Sequence, residues 1–160
     1  GLISRAYLQA RLVVVMGGRA AETVVFGPSE ITQGASGDLQ MATRICREMV
    51  TRYGFSPLGP VALEGDAAEV FLGRDLIHTR PSYAESTGRR IDAQVRALSR
   101  EALDRAVAEL QPRRDLLDDL VELLIDRETL SGDEFRAIVE SYEINQTAGS
   151  QRALTPSPAA

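Results

Sequence analysis

One carboxylate of this chain stands where it could bind a metal ion, namely Asp38, in a glycine-bearing loop that leads into a predicted helix. The loop reads Thr32-Gln33-Gly34-Ala35-Ser36-Gly37-Asp38-Leu39-Gln40. Its glycines allow backbone angles closed to other residues, Ser36 is a favourable N-cap, and the positive end of the helix dipole keeps a carboxylate ionised. The alternative is that Asp38 only marks the start of the helix, because acidic residues are common in a first turn.

Other metal-binding side chains are scarce. The chain has one histidine, His78, and one cysteine, Cys46. His78 lies in a polar stretch and is expected at the surface without a catalytic role, whereas Cys46 falls on the apolar stripe of its helix and is expected in the core. Because zinc sites use three or four protein ligands, we expect no complete site within this chain.

The hydrophobic spacing predicts five helical segments around an irregular middle. The first three run from Ser4 to about Val25, from Ser36 to Arg52 and from Ser82 to Leu110. Pro112 marks a junction before a leucine-rich fourth helix. A cap and acidic residues in the first turn predict the start of the fifth helix at Ser131-Gly132-Asp133-Glu134. Pairs such as Glu101 and Arg105 are spaced for ion pairing along an exposed helix face.

Two parts of the chain are not predicted as helix. Glycines and prolines between residues 54 and 60 break helicity, and Val61-Ala62-Leu63 and Val70-Phe71-Leu72 are short enough to be strands. Residues 145–160 are small, polar and proline-bearing, so a disordered tail is expected there. The predicted fold is therefore mainly α, with one domain over residues 1–144 and a short irregular or β middle segment.

Composition excludes several classes of function. The chain has 160 residues, of which 44% are hydrophobic, and this suffices for one compact domain. A net charge of -5 argues against a nucleic-acid surface. Every basic residue is arginine, so no P-loop lysine exists to bind ATP in that manner. No apolar run approaches the roughly 20 residues of a membrane span, no secretory signal is visible, and a lone cysteine forms no internal disulfide.

Six blocks of sequence together resemble the protease domain of the FtsH family of membrane-anchored AAA+ zinc metalloproteases. In chain order they are Ser4-Arg5-Ala6-Tyr7-Leu8-Gln9, Met16-Gly17-Gly18-Arg19-Ala20-Ala21-Glu22, Phe26-Gly27, the Asp38 loop, Met49-Val50-Thr51-Arg52-Tyr53-Gly54 and Phe71-Leu72-Gly73-Arg74-Asp75. The resemblance implies that Asp38 is the third zinc ligand, beside two histidines of a His-Glu-x-x-His helix. That motif is absent here, so we expect the C-terminal part of the peptidase domain, cut downstream of the catalytic helix, with its general base before Gly1.

The resemblance also implies that the fold is a helical metallopeptidase domain with a C-terminal helical bundle, and it implies partners and a location. The complete protein would be a hexamer that degrades unfolded or damaged proteins, with ATP bound by a domain absent from this chain and a membrane anchor at its N-terminal side. This segment would be a soluble domain on the cytoplasmic, stromal or matrix face of the membrane, and inactive by itself. The alternative is a noncatalytic subunit or hexamerisation module of the same fold, if the parent protein has lost its histidines.

Two further features near Asp38 each have two interpretations. Gly17 and Gly18 either let a neighbouring helix, the His-Glu-x-x-His helix in the family, approach closely, or they break the first helix. Glu22 lies one turn beyond Gly18. It either accepts the spare N–H of a zinc-bound imidazole or is a solvated residue paired with Arg19.

Overall fold

The computed structural model describes residues 2–64 and 83–153, and these residues are mainly helical. Six α-helices occur in the described ranges: α1 (Arg5–Val15), α2 (Gly17–Phe26), α3 (Ser36–Thr51), α4 (Glu85–Leu110), α5 (Arg114–Arg127) and α6 (Gly132–Ala153). The mainly α fold predicted from the sequence is confirmed. The chain divides into two compact units, Gly1–Pro112 and Arg113–Ala160, and the domain boundary expected at residue 144 stays a prediction.

The core of the first unit is formed where α1, α2 and α3 pack with α4. An apolar stripe runs from α1 into α2 with a residue every four positions, so its side chains lie on one face: Leu8, Leu12, Met16 and Ala20. The buried core consists of Leu8, Leu12, Met16, Ala20, Ala42, Ile45, Cys46, Met49, Ala102 and Ala106. Cys46 is therefore a core residue, as the apolar stripe of α3 predicted.

The first predicted helix is divided in two at Met16. The break is mild, since the Met16 N–H still donates to the Leu12 carbonyl oxygen at 3.0 Å and the Ala20 N–H to the Met16 carbonyl oxygen at 2.9 Å. Met16 stays buried across the break. The helix interruption considered for the glycine pair is thus present, one residue before Gly17, and it leaves the apolar stripe continuous.

After α3 the chain turns back onto the end of that helix. Gly54 has φ of +63°, and the Leu63 N–H donates to the Thr51 carbonyl oxygen at 2.7 Å. The strand expected at Val61-Ala62-Leu63 was wrong, because this segment bonds to a helix terminus instead of a neighbouring strand and has irregular structure. The strand expected at Val70-Phe71-Leu72 lies outside the described residues.

The second unit contains α5 and α6. The predicted cap of the last helix is confirmed as a reciprocal capping box: the Glu134 N–H donates to Ser131 Oγ at 3.2 Å and the Ser131 N–H to Glu134 Oε2 at 2.9 Å. Helix α6 continues to Ala153, so residues 145–153, which were expected to be disordered, are helical. They contain no proline, and the Thr147 hydroxyl donates to the Glu143 carbonyl oxygen at 2.9 Å within the helix.

Ion pairs at helical spacing occur on exposed faces, although not at the pair named from the sequence. Arg89 lies 3.2 Å from Glu85, and Arg114 lies 2.9 Å from Asp118. Within residues 2–64 and 83–153, Glu101 and Arg105 form no ion pair. Such surface pairs contribute little to stability.

Of the helices in the described part of the chain, none has the length and apolar character needed to cross a membrane.

Candidate metal-ligand site

Helix α3 begins at the end of the glycine-bearing loop and carries Asp38 in its first turn. Its N-cap is Ala35, whereas the sequence predicted Ser36 in that position. The Ser36 N–H is already satisfied, because it donates to the Gln33 carbonyl oxygen at 3.0 Å. The chain therefore enters the helix through a backbone turn, and no side chain caps it.

The Asp38 carboxylate is exposed and faces the start of α2. A Cβ atom added at Gly18 would lie 3.7 Å from Asp38 Oδ2, so the bare backbone of Gly18 borders the carboxylate. Within the two ranges that the structure describes, the Asp38 carboxylate takes part in no hydrogen bond or ion pair. Its oxygens are thus available to an incoming group, and among the described residues outside α2, Asp38 Oδ2 is the atom nearest to the place of the missing Gly18 Cβ.

Glu22, also on α2, binds the beginning of the loop. Its Oε1 accepts a hydrogen bond of 2.6 Å from the Thr32 hydroxyl, and its Oε2 accepts one of 3.1 Å from the Thr32 N–H. Arg19, one turn earlier, donates from Nη1 to the Thr32 carbonyl oxygen at 3.1 Å. Glu22 and Arg19 were considered as partners of each other, but both bind Thr32.

The hydrogen bonds keep Glu22 ionised. The Thr32 hydroxyl and the Thr32 N–H lower the pKa of the Glu22 carboxyl, and the positive charge of Arg19 lowers it further. A carboxylate accepts hydrogen bonds best when it is ionised. This contact joins α2 to the loop, ten residues further along the chain.

The next residues of the loop pass closely over this contact. The Gly34 N–H donates to Thr32 Oγ1 at 3.1 Å. A Cβ atom at Gly34 would lie 3.2 Å from Thr32 Oγ1 and 3.7 Å from Glu22 Oε1. Glycine at this position therefore lets the chain run over the Thr32 hydroxyl toward Asp38. The sequence identified Gly34 as a loop glycine and missed Thr32, because nothing near Thr32 in the sequence indicates a partner on the preceding helix.

A second polar cluster involves Arg47 of α3, away from the helix start. Arg47 Nη2 donates to Glu64 Oε1 at 2.6 Å, and the Tyr83 hydroxyl donates to the same oxygen at 2.9 Å. Burial raises the pKa of the Glu64 carboxyl, but the hydrogen bonds from Arg47 and Tyr83 outweigh it and the pKa is lowered. The cluster ties residues 64 and 83 to α3, and nothing in the sequence had marked it.

Asp38 is the one candidate ligand that the described residues bring to this site. Among residues 2–64 and 83–153, no three side chains of histidine, cysteine, aspartate or glutamate gather closely enough to hold a metal ion. His78 lies outside the described residues. Asp38 fits zinc as a single oxygen ligand, because its carboxylate is exposed and unengaged, but a zinc site needs at least two more ligands.

Comparisons with known proteins agree with the family resemblance of the sequence motifs. The model of "Peptidase family M41" matches residues 1–138. An "ATP-dependent zinc metalloprotease FtsH" of Synechococcus sp. is 46% identical over 145 residues, which are 90% of this chain and 23% of that protein. The one of Trieres chinensis is 44% identical over 144 residues, covering 89% and 22%. "ATP-dependent zinc metalloprotease FTSH 8, chloroplastic" of Arabidopsis thaliana is 42% identical over 164 residues, covering 99% and 24%. The chain thus spans less than a quarter of the length of these relatives.

Proposed function

The chain belongs to peptidase family M41, and we propose that it is part of an ATP-dependent zinc metalloendopeptidase that degrades unfolded or damaged proteins. The resemblance to FtsH proteases drawn from the sequence motifs is confirmed by the family match and by relatives that carry that name. The activity of a complete protein is proposed by likeness to these longer relatives.

Asp38 is the proposed zinc ligand of this chain. The observation that carries this assignment is an exposed carboxylate, free of hydrogen bonds and ion pairs within the described ranges, in the first turn of a helix of 16 residues. The bare backbone at Gly18 leaves the space beside Asp38 Oδ2 open.

The remaining ligands must come from outside the described residues. We propose the two histidines of a His-Glu-x-x-His helix, with its glutamate as the general base, located before Gly1 in the complete protein. Zinc held there supplies Lewis-acid chemistry for hydrolysis of a peptide bond. The part of this chain in that reaction is to hold one carboxylate oxygen in a fixed place, and alone it is expected to be inactive.

Glu22 was expected to orient a zinc-bound imidazole by accepting its spare N–H, and that role stays a prediction. Each carboxylate oxygen can accept more than one hydrogen bond, so the contacts with Thr32 leave capacity for an imidazole.

The wider context is proposed in the same way. ATP would be bound by a separate domain, and the assembly would be a hexamer, anchored in a membrane by another segment. This domain would stand on the cytoplasmic, stromal or matrix side. Unfolded or damaged proteins would be its substrates.

The test uses the full-length protein, an unfolded substrate such as casein, and ATP. Degradation is expected to stop when a chelator removes the metal and to return when zinc is added, while ATP hydrolysis continues throughout. Absence of proteolysis in a zinc-supplied, ATP-hydrolysing protein would instead support the alternative of a noncatalytic subunit. Degradation that survives complete metal removal would contradict the proposed function.

A further inference from the structure

The loop that carries Asp38 is held at its beginning by a single helix. All three polar groups of Thr32 bind to α2: its hydroxyl and N–H donate to the two oxygens of Glu22, at 2.6 Å and 3.1 Å, and its carbonyl oxygen accepts from Arg19 Nη1 at 3.1 Å. Arg19 and Glu22 are three residues apart in α2, so they share one face of that helix. Thr32 is therefore fixed in position and in orientation.

From Thr32 the hydrogen bonds continue toward Asp38. The Gly34 N–H donates to Thr32 Oγ1 at 3.1 Å. The Ser36 N–H donates to the Gln33 carbonyl oxygen at 3.0 Å, and α3 starts at Ser36. Asp38 follows two residues later, so little free chain separates Thr32 from the carboxylate.

The same helix also borders Asp38 directly. Gly18, one residue before Arg19, leaves Asp38 Oδ2 at 3.7 Å from the place of its missing Cβ. Helix α2 thus fixes the loop at Thr32 and limits the Asp38 side chain at Gly18. Thr32 is itself exposed and contributes nothing to the apolar core.

These contacts lie outside the apolar core, so their main effect is on the path of the loop. We infer that Thr32 and Glu22 are positioning residues that hold the Asp38 carboxylate in its metal-binding place. This inference rests on the proposed function, because it requires Asp38 to be a zinc ligand. Neither residue touches the metal or the substrate, and each acts through the loop.

The experiment compares zinc affinity, measured by competition with a chelator, in the full-length protein and its variants. Thr32→Val keeps the size of the side chain but removes the hydroxyl that binds Glu22 and Gly34, so affinity should fall by about 10-fold to 100-fold, as when other groups that orient metal ligands are lost. Thr32→Ser keeps the hydroxyl and should bind zinc like the parent. The thermal midpoint of Thr32→Val without metal should stay near that of the parent, which separates positioning from unfolding.

A double-mutant cycle tests whether Thr32 acts through Asp38. In an Asp38→Asn protein the ligand is already impaired, so adding Thr32→Val should cause little further loss of zinc affinity. Equal losses from Thr32→Val in both backgrounds would overturn the inference. So would a large effect of Glu22→Ala combined with none of Thr32→Val, because that result assigns Glu22 to a zinc-bound imidazole instead.

The ligand assignment of Asp38 and the positioning role of Thr32 are distinguished by different results. If Asp38→Asn weakens zinc binding and Thr32→Val does not, the positioning role is wrong while the ligand assignment stands. If Asp38→Asn retains full zinc affinity, the ligand assignment falls, and the positioning role falls with it.

Discussion

Gly54 forms the turn after α3, and its replacement by alanine should destabilise the first unit strongly. Its φ of +63° lies in the left-handed region, where an L-residue costs about 1–2 kcal/mol. A Cβ atom there would lie 3.0 Å from Pro60 Cα, 3.2 Å from Gly59 O and 3.3 Å from Val61 N. These are backbone atoms, so the turn itself must move, and overpacking of this kind costs about 1–3 kcal/mol. The free energy of unfolding should therefore fall by about 3 kcal/mol in Gly54→Ala.

Gly59 provides the matched control for this change. It also has a positive φ, of +98°, but an added Cβ would meet no heavy atom within 4 Å. Gly59→Ala should lose only the backbone contribution, about 1–2 kcal/mol. Urea unfolding of this chain, followed by circular dichroism, measures both losses. Equal stability of the two variants would refute the argument that crowding by Pro60 fixes this turn.

Three other predictions concern separate parts of the chain. Glu128 has φ of +63° at the end of α5. Glu128→Gly should therefore stabilise the second unit against thermal unfolding by about 1 kcal/mol, whereas Glu128→Ala should not. Equal thermal midpoints of the two variants would contradict the backbone argument. Burial raises the pKa of the Cys46 thiol to about 11. At about pH 8 its alkylation should therefore be at least about 100-fold slower in the folded chain than in urea, and it should accelerate as the pH rises toward that pKa. A fast reaction in the folded chain would show that the helix packing opens. Gly18→Leu places a side chain against Asp38 and should weaken zinc binding of the full-length protein by about 10-fold. Gly17→Leu, whose side chain would face open space, should not weaken it. Equal effects of the two variants would mean that contact with Asp38 is not the cause.

The helices were predictable because their signals are local. The apolar stripe of α3 placed that helix at residues 36–52, and it occupies Ser36–Thr51. The capping box of α6 was readable because its two residues, Ser131 and Glu134, lie three positions apart. Its continuation past residue 145 does not follow from the sequence, because the same polar composition suits a disordered tail and an exposed helix end.

The wrong strand prediction arises where a distant partner decides the local structure. Val61-Ala62-Leu63 has strand-like residues, but its Leu63 N–H binds the carbonyl oxygen at the end of α3. That hydrogen bond joins residues 12 positions apart, so no local sequence pattern predicts it. The N-cap at Ala35 in place of Ser36 has no such distant cause, because the Ser36 N–H bonds to Gln33, three residues earlier.

The site was predictable in part for the same reason. Asp38 stood out by its place in a glycine-bearing loop before a helix, and the structure leaves its carboxylate exposed. The assignments of Asp38 and Glu22 to a zinc site stay predictions. Thr32 could not be found from the sequence, because its partner Glu22 lies ten residues away on another element.

The most direct test of the central claim is the zinc content of the full-length protein with Asp38→Asn. Asparagine keeps the size of the side chain and removes its charge, so zinc affinity and proteolysis should fall together by about 10-fold to 100-fold while ATP hydrolysis persists. Glu30→Gln removes an exposed acid near the same loop and should change neither, which controls for loss of charge alone. If Asp38 is only a helix-start residue, Asp38→Asn should lower the free energy of unfolding by about 1 kcal/mol or less and leave the zinc content unchanged. Equal zinc per protomer and an equal peptidase rate in the Asp38→Asn protein would contradict the assignment of Asp38 as a metal ligand.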